Sequence, residues 1–249
     1  MSAPVSKILQ TALFAGLLAA SANSAASGLQ VSPVSITLTG GRPAEELWVS
    51  NVATQPLHVQ VRVYHWSQAG GMDTREPSRG LVVSPPMLEL APGQKQLVRV
   101  IRTGAPPKGP GASEDAFRIA IDELPVINPH DKGLRFVLHY SVPVFIEPVG
   151  APLPAARIDF AIHRDGDHAV LEVTNHGNGH AQIAALSFVD SSGRRTEITA
   201  GLLGYALAGQ TMRFTLMPKP AIFANGGKLE GLLNGRQVSL PVAPTDGSR

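Results

Sequence analysis

Four histidines between residues 163 and 180 are the side chains whose type and spacing could hold a metal ion. His163 and His168 lie upstream of the segment His176-Gly-Asn-Gly-His180. Imidazole nitrogens are common ligands of zinc and copper, but two histidines at this spacing lack the other ligands that a closed site needs. The segment 175–179 fits a turn between two strands better. We therefore expect no metal site and no cofactor.

No other set of side chains suggests catalysis or nucleic-acid binding. The sequence shows no Ser-His-Asp order and no pair of carboxylates within a recognisable catalytic motif. The segment Gly201-Leu-Leu-Gly204 lacks the sequence context of a phosphate-binding loop. The formal net charge of +2 and the absence of a basic run with interleaved aromatic residues argue against nucleic acid. Trp48 and Trp66 are expected in strands or in the core. The sequence indicates a binding protein, not an enzyme.

The strongest pattern in the chain lies in residues 133–148, GLRFVLHYSVPVFIEP. Its apolar side chains alternate strictly with others: Leu134, Phe136, Leu138, Tyr140, Val142, Val144 and Ile146. Such alternation predicts a β-strand with one apolar face. Pro143 cannot donate a ladder hydrogen bond, so we expect this strand at the edge of its sheet. A long apolar edge invites aggregation unless it is covered or reserved for a partner. We favour a partner for the first half and the protein's own core for Val142–Ile146.

The N-terminus has the pattern of a secretory signal peptide. Lys7 precedes an apolar run from Ile8 to Ala20, and small residues follow. Cleavage is expected after Ala26, although Ser24 could also be the last residue removed. No later apolar run is long enough to cross a bilayer, so no membrane insertion is expected. With no cysteine, the exported chain must be held together by core packing without disulfides.

The remainder reads as many short strands joined by turns, which predicts an all-β protein of two domains. In the first domain, residues 27–150, strands are predicted at 29–38, 46–50, 58–66, 81–83, 94–102, 117–124 and along the segment described above. Residues 151–156, APLPAA, form a short stiff linker. A smaller β-domain is expected over 157–249, with strands at 158–162, 169–174, 182–189, 212–217 and 237–240 and a polar tail from Ala243. Strand-rich segments without an amphipathic helix indicate antiparallel sandwiches.

Three ordered motifs resemble one known family. They are the block 82–100, VVSPPMLELAPGQKQLVRV, the block 117–125, FRIAIDELP, and the ending Pro-Val-Phe-Ile-Glu-Pro148. Together they are similar to periplasmic pilus-assembly chaperones of the chaperone-usher pathway, the Pap/Fim-like superfamily. The resemblance covers essentially the whole mature chain. Tyr64–Gln68 and Ser84-Pro-Pro86 look more like the archaic branch, which handles spore-coat-U-type pilins.

The resemblance implies two immunoglobulin-like sandwiches in a boomerang arrangement, in the periplasm of a Gram-negative bacterium. The long strand would be lent to a pilin that lacks its own last strand, which is an established form of β-strand addition. The chaperone would then pass the pilin to an outer-membrane usher, without nucleotide or turnover. Aligned on Pro148, the donated side chains would be Leu134, Phe136 and Leu138, with Tyr140 as a fourth. The same edge could also pair with a second copy of the chain.

One departure from the Pap/Fim pattern concerns the anchor for the pilin's C-terminal carboxylate. That branch uses two basic residues in the cleft between the domains, and here both positions are proline, Pro33 and Pro143. We take Arg102 as the first candidate for a replacement anchor and Arg99 as the second. A guanidinium can hold a carboxylate through two parallel charge-assisted hydrogen bonds. An internal salt-bridge network is the alternative role for Arg99.

Other readings stay open at this point. The loop Gly104–Gly111 is too rich in glycine and proline for regular structure, and it is either a loop that is mobile before pilin capture, as the resemblance implies, or a plain surface loop. An immunoglobulin-like binding module for carbohydrate or metal is the alternative function. A pilus subunit is disfavoured, because the mature chain begins directly with the first-strand motif Leu29–Pro33 and has no donor extension.

Overall fold

The computed structural model describes residues 28–125 and 136–244, and these form two β-sandwiches. The expectation of an all-β protein is confirmed, since one 3-10 turn at Pro220–Ile222 is the only helical element in the described residues. The strands of the first domain are β1 (Leu29–Ser32), β2 (Ile36–Leu38), β3 (Ala44–Asn51), β4 (Leu57–Ala69), β5 (Met72–Pro77), β6 (Leu81–Ser84), β7 (Met87–Leu90), β8 (Lys95–Arg102), β9 (Asp115–Leu124) and β10 (His139–Ile146). Those of the second are β11 (Ile158–Asp165), β12 (His168–Asn175), β13 (Ala181–Asp190), β14 (Arg195–Glu197), β15 (Leu202–Ala206), β16 (Thr211–Leu216), β17 (Gly227–Leu233) and β18 (Arg236–Val242).

The first domain packs two sheets around one apolar core. The first sheet has the strand order β1-β3-β8-β6, and the second has the order β2-β10-β9-β4-β5, with β7 also paired to β4. In the core strands alternate residues point inward, so Val98 and Val100 of β8 meet Ile119 and Ile121 of β9 in the core. The residues that alternate with these point away from the core, so the outward face of the second sheet includes Arg118 and Ser141.

The predicted single strand over 29–38 is wrong. The chain forms β1, leaves regular structure at Pro33–Ser35, and enters the other sheet as β2. Pro33 cannot supply the N–H that a continuous ladder would require. The first strand is therefore divided between the two sheets.

Strand β10 has two halves with different neighbours. It pairs antiparallel with β9 along its whole length, from His139 to Ile146. On its other side it pairs in parallel with β2, but only from Val144 to Ile146. Within the described residues, 139–143 therefore has an open edge. The prediction of an edge strand is correct for this half and wrong for the other half.

Strands β4 and β5 form a long hairpin, of which only the strand over 58–66 was predicted. The turn is made by Gly70 and Gly71, which have φ values of +61° and +82°. Glycine adopts this left-handed region without the penalty that a Cβ would bring. All of β5 is exposed, so its sequence has no alternation of apolar and polar residues that would predict a strand.

The second domain packs a three-stranded sheet, β11-β12-β16, on a sheet of order β14-β13-β17-β18, with β15 also paired to β13. Its core includes Leu171, Phe188 and Phe223. Three strands here, β14, β15 and β17, were not predicted. Residues 151–157 connect the two sandwiches without regular structure.

Candidate functional site

The apolar face of β10 changes from buried to exposed along the strand and the residues just before it. Val142, Val144 and Ile146 are buried in the core of the first domain, with 2%, 0% and 3% of their surface exposed. Leu138 and Tyr140 only lie against the border of that core, and Phe136 is 73% exposed. The predicted core role of Val142–Ile146 is thus confirmed. Leu134, the first predicted donor residue, lies outside the described residues.

The open edge of β10 faces the open edge of β1 in the other sheet. Between them lies a cavity of about 310 Å³, lined by Gln30, Val31, Ser32, Ser50, Lys95 and Tyr140. The Tyr140 hydroxyl donates a hydrogen bond of 2.9 Å to the backbone oxygen of Leu29 and so links the two strands. The sandwich is therefore not closed on this side, and a further strand could be accommodated beside β10.

An ion-pair cluster marks the beginning of β10 on the outward face of the second sheet. The Asp122 carboxylate accepts a hydrogen bond of 2.7 Å from Arg62 and contacts His139 through its other oxygen. Burial alone would raise the pKa of the Asp122 carboxyl, but the hydrogen bonds and charges of Arg62 and His139 outweigh burial and hold it below its ordinary value. Hydrogen bonding to Asp122 also raises the pKa of Arg62. This cluster fixes the first residue of β10 to β9.

Arg118 is the most unusual charged residue on the same sheet face. Its guanidinium carbon lies 3.7 Å from the ring centroid of Trp66 and 5.0 Å from that of Tyr205, which belongs to the second domain. Burial lowers the pKa of the Arg118 guanidinium below its ordinary value. Within the described residues it has no ion pair with a carboxylate, and its weak 3.5 Å contact goes to the backbone oxygen of Ser141. The charge of Asp73 offsets part of the effect of burial on the Arg118 pKa, and the guanidinium still carries N–H donors that could bind an anion.

The two arginines proposed from the sequence lie on the other sheet. Arg102 ends β8, with one terminal nitrogen 3.4 Å from the oxygen of Thr39. Its Nε is buried and has no hydrogen-bond partner in the described part of the chain. Arg99 is exposed and lies opposite Glu46 in the pairing of β3 with β8. Their role as anchors stays a prediction, and Arg118 is a third basic residue that the sequence argument missed.

The signal for Arg118 was present in the motif 117–125. Strand β9 lies between β10 and β4, and most of its residues are buried. An arginine in such a strand must be stacked or paired, since a buried charge is otherwise costly. What the sequence could not show is that Tyr205, far along the chain, supplies part of the platform.

The four histidines of the C-terminal half each lie near a different carboxylate or on the surface. His176 contacts Asp159 at 3.0 Å, His163 lies 4.0 Å from Glu172, and His180 contacts Glu114. Over residues 28–125 and 136–244, no group of three or more potential ligands is placed to hold a metal ion. The predicted turn between β12 and β13 is confirmed.

Two further expectations concern the loop Gly104–Gly111 and membrane insertion. The loop is joined to the segment after β10, because Val149 donates to Pro107 at 2.8 Å and accepts from Gly109 at 3.0 Å. Mobility of this loop before pilin capture stays a prediction.

Among the described residues, no helix has the length and apolar character to span a bilayer.

Comparisons with known proteins agree with this architecture. Residues 28–152, half of the chain, match the family model described as "Pili and flagellar-assembly chaperone, PapD N-terminal domain". A search of curated proteins finds no significant sequence match.

Solved structures show the same fold over nearly the whole chain. A complex of CsuC and CsuE from the archaic chaperone-usher Csu pili of Acinetobacter baumannii matches with a TM-score of 0.65 at 20% identity, covering 88% of this chain and 99% of the other. The SafB chaperone with the SafA pilin of Salmonella enterica matches with a TM-score of 0.60 at 18% identity, covering 87% and 96%. The Escherichia coli chaperone DraB matches with a TM-score of 0.57 at 18% identity, covering 88% of this chain and 97% of the other. With two sandwiches of this form and a match to the family model across the first of them, the chain belongs to the family of pili and flagellar-assembly chaperones.

Proposed function

We propose that this chaperone binds incomplete pilin subunits by lending them the first half of β10 and the residues just before it. Membership of a chaperone family also means that the protein is not an enzyme. The observation that carries the proposal is the division of β10: Val144–Ile146 is paired on both sides and buried, whereas 139–143 has an open edge. The C-terminal half holds the strand in place, and the other half is available for a partner.

The exposed side chains support this division of roles. Phe136 continues the apolar alternation beyond the chaperone's own core, and Leu138 is half-buried at its border. Full burial of such a side chain in a groove of the subunit contributes roughly 1.5–3 kcal/mol. Tyr140 is the boundary residue, because its ring borders the core while its hydroxyl binds Leu29. Leu134, by the same alternation, would be the first side chain inserted.

Arg118 is our preferred anchor for the C-terminal carboxylate of the subunit. It lies opposite Pro143 in the pairing of β9 with β10, so it is next to the strand on which the subunit would be built. Its position on Trp66 and Tyr205 fixes the plane of the guanidinium, which is what bidentate recognition of a carboxylate requires. Arg102 and Arg99, predicted from the sequence, are the alternatives to be tested beside it.

The relatives named above support the remaining steps of the proposal. CsuC belongs to the archaic chaperone-usher system of Csu pili, and SafB forms a complex with the SafA pilin. We place this protein in the periplasm and infer that it delivers the subunit to an outer-membrane usher. There the incoming strand of the next subunit would replace the donated segment, driven by the difference in binding free energy. Pairing of free chaperone through the same edge is a further expectation.

A periplasmic pull-down from the native organism tests the proposal. A tagged wild-type chaperone is compared with the triple variant Leu134→Asp, Phe136→Asp, Leu138→Asp, and retained proteins are identified by mass spectrometry. We expect a small secreted subunit with the wild type and none with the folded variant. Equal retention by both, or no subunit with either, would contradict strand donation at this site, and ligand screening would then test a binding module instead.

A further inference from the structure

Two separate sets of polar contacts join the two domains, and the first is made by Gln68 of β4. This side chain is almost fully buried, with 4% of the residue exposed. Its Nε2 donates to the backbone oxygen of Tyr205 at 3.0 Å, and its Oε1 accepts from the backbone nitrogen of Leu207 at 2.7 Å. The amide thus pairs with the second domain as a neighbouring peptide group would. Beyond it, the β4–β5 turn makes one backbone contact, from the Arg213 nitrogen to the Gly71 oxygen at 3.3 Å.

The second set joins Glu114, just before β9, to the turn before β13. One oxygen of the Glu114 carboxylate accepts from the backbone nitrogen of His180 at 2.8 Å and contacts Nδ1 of its ring at 2.7 Å. The Glu114 backbone nitrogen donates to the oxygen of Asn178 at 2.8 Å. The His180 ring also stacks on Phe145 of β10, with centroids 3.5 Å apart and planes 4° from parallel.

The same turn also holds the linker between the domains. The Asn178 side chain accepts from the nitrogen of Ala155 at 3.0 Å and donates to the oxygen of Pro152 at 3.1 Å. Gly179 lies so close to the linker that a Cβ there would be 2.8 Å from the Ala155 nitrogen. The histidine-containing segment that could have suggested a metal site is therefore a contact point for both the linker and the first domain.

Between the two polar sets lies a small apolar cluster of Trp66, Ala116, Phe145, Tyr205 and Leu207. An apolar contact alone is not directional and would tolerate rotation of one domain on the other. Rotation of one domain would take the partners in the second domain away from the buried Gln68 Oε1 and the Glu114 carboxylate, although Gln68 Nε2 would keep its 2.9 Å hydrogen bond to Asp73. A buried polar atom left unpaired costs more than the net gain of forming its hydrogen bond. Two such polar contacts, one on each side of the apolar cluster, define the orientation of one domain relative to the other.

We propose that Gln68 and the Glu114–His180 pair act as a two-point clamp that fixes the angle between the domains and thereby positions Tyr205 against Arg118. The clamp itself does not depend on what the protein binds. Its consequence for subunit binding rests on the proposed function: a loosened clamp would move Tyr205 away from Arg118 and weaken the site for the terminal carboxylate. Gln68 and His180 are positioning residues, since they act through Tyr205 and Phe145.

The clamp can be tested by a distance measurement in the absence of any subunit. The chain has no cysteine, so Thr54→Cys and Ser191→Cys introduce two exposed labelling sites, one in a turn of each domain. We expect pulsed electron paramagnetic resonance to give one narrow distance distribution for the spin-labelled protein. In Gln68→Ala, His180→Phe and their combination, we expect it to broaden, with about a tenfold rise in the population of other domain angles when hydrogen bonds of ordinary net strength are lost.

Gln237→Ala is the matched control, because Gln237 is exposed on the edge strand β18, which β17 separates from β13. Far-ultraviolet circular dichroism establishes that each variant keeps its strands, and the single variants decide the question if the combination does not fold. An unchanged, narrow distribution in the folded clamp variants would overturn the proposal. Subunit retention is measured separately, so a wild type that captures no subunit would reject the proposed function while leaving the distance result valid.

Discussion

Phe136 and Val144 lie on the same alternating pattern, yet truncating them to alanine should have opposite consequences. Val144 is fully buried between the sheets of the first domain, and Phe136 is 73% exposed. If β10 is divided as we propose, Val144→Ala should lower the free energy of unfolding of the chaperone. Phe136→Ala should leave that stability unchanged and should weaken subunit binding.

The expected magnitudes follow from burial. Val144→Ala removes two buried methyl groups and leaves a small cavity, which corresponds to a loss of about 2–3 kcal/mol in stability. An aromatic side chain buries about 150–250 Å² when it is fully covered. Covering the exposed 73% of Phe136 at about 25 cal/mol per Å² gives about 3 kcal/mol, or roughly a hundredfold in the dissociation constant.

Both quantities can be measured on the same preparations. Urea unfolding followed by tryptophan fluorescence gives the free energy of unfolding of wild type, Phe136→Ala and Val144→Ala. Biolayer interferometry with the subunit recovered in the pull-down gives the dissociation constants. Val149→Ala is a useful control for exposure alone, because Val149 is 39% exposed and follows β10 outside the proposed donor segment.

A Phe136→Ala variant that unfolds as easily as Val144→Ala would contradict the division of β10 into a core half and a donated half. That result would mean that Phe136 serves the chaperone's own core. Equal subunit affinity of wild type and Phe136→Ala would refute the assignment of Phe136 as a donated side chain.

Three further predictions concern single residues. Arg118→Gln should weaken subunit binding by about 30-fold or more, since removing one partner of a buried charge pair costs about 2–5 kcal/mol; biolayer interferometry measures it. Gly179→Ala should lower stability by about 1–3 kcal/mol through the clash with the linker, whereas Gly201→Ala, with no atom within 4 Å of its Cβ position, should not, as urea unfolding will show. The Asp122 carboxyl has a lowered pKa in the folded protein, so the stability it contributes is present above its unfolded pKa and is lost as the pH falls through the folded pKa. The stability difference between wild type and Asp122→Asn should therefore shrink between about pH 5 and about pH 2 in urea unfolding.

Each of these has a contrary outcome. Unchanged affinity in Arg118→Gln together with a loss in Arg102→Gln would return the anchor to the residue expected from the sequence. Equal effects of the two glycine substitutions would mean that the approach of Gly179 to the linker is relaxed in solution. A stability difference for Asp122→Asn that stays constant down to the lowest pH would exclude the carboxylate's charge as its origin.

Much of β10 could be predicted because the signal is local. The alternation of apolar residues identifies the inward face of the strand. The position of Val142–Ile146 close to Pro148 distinguishes these core residues from the predicted donor residues before them. Its pairing with β2 could not be predicted, because the partner lies about a hundred residues earlier in a segment that looked like the continuation of β1. The exposed strand β5 was missed because it has no buried face and is fixed only by the Gly70-Gly71 turn.

The site was predicted less completely, for a physical reason. The residue type alone indicates that an arginine can bind a carboxylate. Which of Arg99, Arg102 and Arg118 is placed to serve as the anchor depends on the sheet face that each side chain occupies. Strand β8 turns Arg99 away from the second sheet, whereas β9 places Arg118 beside Trp66. The histidines likewise became interpretable only when Glu114 and Phe145 were found opposite His180.

The parallel pairing of β10 with β2 has a consequence for how subunits are discriminated. Three rungs, from Val144 to Ile146, prevent β10 from sliding along its neighbours. Because side chains alternate with a period of two, a slip by one residue would present Val137 and His139 where Phe136 and Leu138 belong. If the chaperone lends this strand as we propose, the register of the donated side chains is fixed, and a subunit should bind only if the spacing of its pockets matches that register.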